Sequence, residues 1–370
     1  MPTISKNIYL DAPSLGVAEK KYLVRAIDSG YVSSAGGFVN EFEDRFSRYV
    51  GAKKSVSTQS GTSALHMALY ELGIGKGDEV IVPATTFIAS VNPVVYVGAK
   101  PVFADIDEQT WNIDPEQVER LLNKRTKAII PVHLYGNPCD MDSIMKVAGR
   151  YHLHVIEDAT ESLGAKYKKR HTGTFGDFGC FSFNGNKLIT TGGGGMIVGR
   201  NTKKMEHIRF LVNQAKDKTN SLYHPEIGFN YRMTNIEAAL GLAQFEKIGI
   251  FLDKKKEVNS IYRKELSDID SICFQDEYDS ALSSHWLTCI KFTEKIDVTW
   301  LQKKLRKYKI QTRRIFMPVI GFPPYRNHPK NTCNMAYKLY KSGLCLPSSV
   351  LNTKDDIYFV ARKIKELVSK

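Results

Sequence analysis

The 370-residue chain lacks an apolar run long enough to cross a bilayer, and this excludes a membrane-spanning helix. Its opening, MPTISKNIYLDAPSLG, has no apolar stretch behind a basic one, so it does not read as a signal peptide, and a cytoplasmic protein is expected. Cysteine is sparse and scattered. The six residues Cys139, Cys180, Cys273, Cys289, Cys333 and Cys345 include no C-x-x-C pair, which argues against both a disulfide framework and a structural metal site. His152 and His154, in YHLHVIED, stand at strand spacing, but two histidines without a third ligand read as a strand-edge pair, and no metal is expected. Repeats and low-complexity segments are absent as well.

What is present is an ordinary globular composition, 42% apolar and 25% charged, with an excess of positive charge. The formal net charge of +13, from 52 basic and 39 acidic residues, suits an anionic partner. The lysine groups KKK at 254–256 and QKKLRKYK at 302–309 lack the aromatic interleaving of an RNA-binding surface. They read as solvated helix faces, and no nucleic acid is expected; a phosphate-bearing small substrate would use the same field. From about residue 55 to 200, apolar runs such as DEVIVPA, KPVFADID, KAIIPVHLYG, LHVIEDAT, GCFSFN and GGMIVG alternate with segments of helical periodicity. That alternation predicts an α/β fold with a largely parallel sheet covered on both faces, and ligands at the carboxyl ends of its strands. A long basic helix and a less regular tail follow, with a Pro-rich loop FMPVIGFPPYRNHP. The length suits two domains, and the boundary is expected near 245, giving units 1–245 and 246–370.

The segment CFSFNGNKLITTGGGGMIVG sets Lys187 ahead of four glycines. A phosphate-binding P-loop needs its glycines before the lysine and a helix after it, whereas here a strand-like MIVG follows. The glycines alone read as a tight reversal between strands. A lysine just beyond a buried strand is disfavoured in its charged form, as a Schiff-base lysine must be. Glu157 and Asp158 end the apolar strand of VIEDATES, where an acid caps a helix, binds a metal or pairs with a heterocyclic nitrogen. Ser60, Gly61, Thr62 and Ser63 open an amphipathic helix, a place whose amides and dipole favour a phosphate. Phe87, in PATTFIAS, is placed either to stack on a flat ring or to pack in the core. Lysine, acid, helix start and aromatic together match the needs of pyridoxal phosphate.

The ordered motifs SGTSALHMAL, PATTFIAS, PVHLYGNPCDMD, VIEDATESLGA, GTFGDFGCFSFNGNKLITTGGGGMIV and GFNYRMTNIEAALGLAQ closely resemble the DegT/DnrJ/EryC1/StrS sugar aminotransferases. The likeness runs from GYVSSAGGFVNEFEDRF near residue 30 to GLCLPSS near 343. It implies a fold type I pyridoxal-phosphate enzyme, with a mostly parallel seven-stranded sheet in the large domain and a smaller carboxyl-terminal α/β domain. By the same resemblance Lys187 bonds the cofactor and moves protons, Asp158 pairs with its ring nitrogen, and Phe87 stacks on the ring. Gly61, Thr62 and Ser182 hold the phosphate, and Asn230 of GFNYRM reaches it from a neighbouring subunit of a homodimer. Glu161 stands in EDATES where many members have glutamine, a mark shared with members resembling perosamine synthases and bacillosamine-pathway aminotransferases, and the resemblance sets it near the cofactor's phenolic oxygen. The dehydratase branch replaces the lysine by histidine, so its presence here implies transamination. Tyr231, Arg232 and Arg313 are candidate contacts to the substrate, with surface ion pairing as the alternative role of the two arginines. Relatives often carry Pro-x-His where this chain reads MPVIGFPPY, so no substrate contact is carried over there. NGNK and YVSS lean toward transfer of the amino group of L-glutamate to C4 of a nucleotide-linked 4-keto-6-deoxyhexose. The alternatives are C3 of a 3-keto sugar, or a non-catalytic regulatory member of the fold.

Overall fold

Strands that are apolar on both faces need cover on both sides, and the fold supplies it. The computed structural model describes residues 6–217, 219–220, 222–294, 296–326 and 332–368. Seven strands, β1 (Lys54–Thr58), β2 (Glu79–Pro83), β3 (Lys100–Ala104), β4 (Thr126–Ile129), β5 (His154–Asp158), β6 (Phe178–Ser182) and β7 (Gly195–Gly199), form one sheet. Their order is β1-β7-β6-β5-β4-β2-β3. Every neighbouring pair is parallel except those of β7, which runs antiparallel to both β1 and β6. This is the mostly parallel seven-stranded α/β sheet that the sequence implies. Alternate residues serve opposite cores: Val80 and Val82 face one, Ile81 the other, and Ile197 is divided in the same way from Met196 and Val198.

β1 is the strand that the apolar pattern does not single out. Ser55, Ser57 and Thr58 are nonetheless buried there. Each hydroxyl has a partner: Ser55 donates to the Glu43 carbonyl at 2.6 Å and Thr58 to the Ser60 carbonyl at 2.9 Å, while Glu43 Oε1 accepts from both the amide and the hydroxyl of Ser57 at 2.8 Å and Arg209 holds its other oxygen at 2.6 Å. Burial of a hydroxyl-rich strand is tolerable only with such partners.

A second sheet, entirely antiparallel, orders Ile272–Phe274, Cys289–Phe292, Gly343–Cys345 and Arg313–Arg314. Helices Val298–Lys307 and Lys354–Val368 pack on it around a core that also takes in Ile8 from the start of the chain. Ile8 is bridged there to Ile310. The helices Asn235–Phe245 and Ile248–Glu265 follow each other directly and carry the chain from one sheet toward the other.

Two sequence expectations are corrected by these surroundings. Lys255, in the middle of KKK, is not solvated: it is 1% exposed, and its ammonium bonds Asp11 Oδ1 at 2.9 Å and the carbonyl of Trp286 at 2.8 Å. His152 is not a strand residue but caps helix Met141–Tyr151 in the left-handed conformation, while His154 opens β5 and meets Asp177 at 3.2 Å. Among the described residues no group of acids, cysteines and histidines is arranged to hold a metal, and no helix is long and apolar enough to cross a membrane. Residues 327–329 at the end of the Pro-rich loop lie outside the described residues.

Candidate active site

Parallel strands deliver their carboxyl ends to one edge of the sheet, and the chemistry-bearing residues gather there. A cleft of about 310 Å³ at this edge is lined by Gly61, Thr62, Phe87, Asp158, Glu161, Ser182, Lys187 and Arg313. Asn230, Tyr231 and Arg232 do not line it. Asn230 is exposed and Arg232 half-buried, while the Tyr231 hydroxyl meets His66 Nδ1 at 3.2 Å and its ring stacks on Phe229.

Asp158, the last residue of β5, is 1% exposed. Its Oδ2 accepts from the Ser90 hydroxyl at 2.6 Å and its Oδ1 from the Thr160 amide at 3.1 Å, with no basic partner among the described residues. Strand alternation sends the adjacent Glu157 to the other side of the sheet. There it accepts from the amides of Gly173, Phe175 and Gly176 at 2.6–2.8 Å and meets His133 at 3.1 Å. Of the two acids, only Asp158 faces the cleft.

Between β6 and β7 the chain doubles back through a hairpin closed by bonds from Phe183 to the carbonyl of Gly194 and from Thr191 to that of Phe183, both 2.9 Å. Gly194 adopts φ +136°, which a side chain would strain. At Gly195 a Cβ would lie 2.4 Å from the Ser60 carbonyl group, so only glycine lets β7 pass this close to the start of the helix Gly61–Glu71. Ser60 caps that helix by accepting from the Ser63 amide at 3.0 Å, which leaves the Gly61 and Thr62 amides at the positive end of the helix dipole.

The same hairpin carries Lys187 over the cleft, 14% exposed. Its ammonium lies 3.8 Å from Glu161 Oε1 and 4.1 Å from the centre of the Trp286 ring. Burial pulls the pKa of Lys187 below the usual lysine value, against the opposing pull of Glu161 and Asp158. Burial likewise lifts Glu161 above the usual carboxylate range, although Lys187 and the Tyr135 amide, bonded at 2.9 Å, oppose the rise. Arg313 also reaches this cleft. Burial works against its charge, but Cys345, Tyr135 and Glu161 keep its pKa above the usual arginine value. Its Nε and Nη2 are buried without a hydrogen-bond partner among the described residues, which leaves both donors available.

Trp286, Ser90, Thr160 and Tyr135 are the members that sequence patterning misses. Thr160 follows Asp158 by two residues, the spacing of a carboxylate that bonds a nearby backbone amide, and Ser90 follows Phe87 by one helical turn; both signals are local and weak. Trp286 and Tyr135 have no such signal, because they arrive from elements remote in sequence.

The donor set fits pyridoxal phosphate: a buried carboxylate without a cation, a lysine with lowered proton affinity, and free amides at a helix start. The comparisons agree. The model of the DegT/DnrJ/EryC1/StrS aminotransferase family matches residues 13–365. The GDP-perosamine synthase of Caulobacter vibrioides is 41% identical over 95% of both chains, and that of Escherichia coli O157:H7 is 38% identical over 98% of this chain and 99% of its own. Among solved structures, the aminotransferase of Psychrobacter cryohalolentis superposes with a TM-score of 0.93 at 28% identity, covering 98% of this chain and 99% of its own. The chain therefore belongs to the DegT/DnrJ/EryC1/StrS family of pyridoxal-phosphate-dependent sugar aminotransferases.

Proposed function

We propose that this enzyme moves the amino group of L-glutamate, in two half-reactions, to C4 of a nucleotide-linked 4-keto-6-deoxyhexose, giving a 4-amino-4,6-dideoxy sugar nucleotide. The observation that carries the reading is Lys187, seated in a cleft with a buried carboxylate in front of it and a helix start to one side. When bound, pyridoxal phosphate supplies the electron sink that lets an amino group pass from one carbon to another. The chain's own residues do the rest. Lys187 would hold the cofactor and would carry a proton between carbon atoms as base and then acid, which requires a pKa drawn down from the usual lysine value, the direction burial gives it. Asp158, fixed by Ser90 and Thr160, keeps a ring nitrogen protonated. Gly61, Thr62 and Ser182 would hold the phosphate, and Phe87, exposed at the rim, would stack on the ring. Glu161 sits beside Lys187 and steers its proton. Arg313 offers its two unpartnered donors to a carboxylate or phosphate of the substrate.

In this reading Asn230 reaches the phosphate of a neighbouring copy, as its exposure outside its own cleft permits, and Tyr231 and Arg232 border the shared site. The assembly is a homodimer, located in the cytoplasm where nucleotide sugars are made. The division near residue 245 into a cofactor-holding unit and a smaller one belongs to the same reading. The C4 assignment is supported by the two GDP-perosamine synthases, makers of a 4-amino sugar nucleotide.

The test is incubation with L-glutamate and a panel of 4-keto and 3-keto sugars carrying dTDP, UDP or GDP, followed by NMR of the product. Amination at C4 is expected. Turnover of the 3-keto sugars alone overturns the regiochemistry, and a Lys187→Ala variant with full activity overturns the mechanism.

A further inference from the structure

The surroundings of Lys187 contain one large group that the mechanism has left idle, and its placement is unusually well secured. Trp286 turns its ring face to the Lys187 ammonium at 4.1 Å, the arrangement in which an aromatic quadrupole attracts a cation. Its indole N–H donates to the carbonyl of Asn186 at 2.8 Å, so the ring is tied to the residue immediately before the lysine. Its own carbonyl accepts from Lys255 at 2.8 Å, and Lys255 is paired with Asp11, both nearly excluded from solvent. Tyr135 stacks on the ring system, with centroids 6.4 Å apart. A ring held at its edge and its backbone, with a second ring stacked on it, does not drift away when the lysine moves.

We propose that Trp286 is a positioning residue for proton transfer: its indole face seats the charged amino group of Lys187, and so sets how tightly that group holds its proton. The buried Lys255–Asp11 pair fixes the seat. The inference rests on the reading of Lys187 as the proton carrier.

The other groups that face Lys187 act on it through their own charge. Asp158 and Glu161, at and beyond the end of β5, attract the ammonium, but both are committed, Asp158 to Ser90 and Thr160, Glu161 to the Tyr135 amide. Arg313, from the second sheet, repels it, and shares the indole at 5.7 Å. Asp11, from the start of the chain, attracts it as well, but Lys255 already answers its charge. Trp286 alone stabilises the charged lysine without being a titrating group, so its effect persists across the working pH range.

The experiment is a spectrophotometric pH titration of the lysine–cofactor linkage in the purified holoenzyme, run on wild type, Trp286→Phe and Trp286→Leu. Removing the ring face makes the protonated form less favourable, so the midpoint falls by about one pH unit in W286L and by less in W286F. Should W286L fail to fold, wild-type protein made with mono-, di- and trifluorotryptophan keeps the shape and weakens the ring face in steps. The midpoint then falls with each added fluorine. A folded W286L with an unshifted midpoint overturns the proposal, as does a fluorine series without a trend, or a W286F that shifts as far as W286L. An inactive Lys187→Ala alongside an unshifted W286L would refute the role of Trp286 and leave that of Lys187 standing.

Discussion

Two neighbouring acids at the end of β5 should fail in opposite ways when each is made neutral. Glu157 is fully buried and serves four donors: Oε1 accepts from Phe175 and Gly176, and Oε2 from Gly173 and His133. The histidine's hydrogen is located by its other nitrogen, since Nδ1 accepts from the Cys139 amide at 3.0 Å and Nε2 must therefore be the donor. Glu157→Gln replaces one acceptor oxygen by an NH₂ group that opposes two donors. If the amide turns its oxygen to Phe175 and Gly176, the bonds from Gly173 and His133 are lost. At about 1.5–3 kcal/mol for each bond to a charged group, E157Q should cost about 3–5 kcal/mol of stability. Asp158→Asn should cost under about 1 kcal/mol, because Oδ1 can still accept from Thr160 while the new NH₂ donates to Ser90. D158N should instead release cofactor roughly tenfold more readily, having lost the charge that pairs with a ring nitrogen. Urea unfolding gives the stabilities, and hydrogen exchange of residues 172–178 reports whether the loop over Glu157 has opened. If E157Q exchanges like wild type in that segment, the clamp assigned to Glu157 is wrong.

Lys255→Met strands Asp11, whose carboxyl burial already pushes up to about 6. A pKa raised by folding gives stability that is complete below the unfolded value and lost as pH rises through the folded one. The deficit of K255M should thus be small at pH 5 and reach about 3–5 kcal/mol at pH 8, read from urea midpoints at the two pH values; a deficit independent of pH would contradict the burial of that pair. Gly195→Ala forces its new Cβ onto Ser60 and Gly61, so the helix start must shift, and equilibrium dialysis should show weakened cofactor binding with the secondary structure unchanged by circular dichroism. Glu161→Gln removes an acid that raises the pKa of Lys187 from 3.8 Å away, and the midpoint of the lysine–cofactor linkage should fall by about one pH unit in the titration described above.

Much of this was legible in the chain because the signals are local. The doubly apolar runs fix strands β2 to β7 and their covered faces, and Ser60 ahead of an amphipathic segment fixes the helix start that waits for a phosphate. The pattern places Glu157 and Asp158 at a strand end but does not say which one faces the cleft, since that depends on which side of the sheet the site occupies. β1 hides because its burial is supported by an acid and an arginine from two other helices, not by apolar side chains. The KKK motif looks solvated because the carbonyl and carboxylate that receive Lys255 lie 31 and 244 residues away. The absent histidine of MPVIGFPPY marks a departure that the sequence does show, while Trp286, the residue beside the lysine, is invisible to any pattern of spacing.

The path of the first residues into the carboxyl-terminal core bears on how the enzyme comes into being during translation. Ile8 pairs with Ile310, Tyr9 with Asn352, and Asp11 with Lys255, so residues 8–11 find their place only after the chain has been made past residue 352. Until then Asp11 cannot take its place beside Lys255, and the tryptophan seat next to the reactive lysine is incomplete. Contacts of such long sequence separation are slow to close. A chain that still lacks its later segments therefore carries its reactive lysine beside an unfinished site.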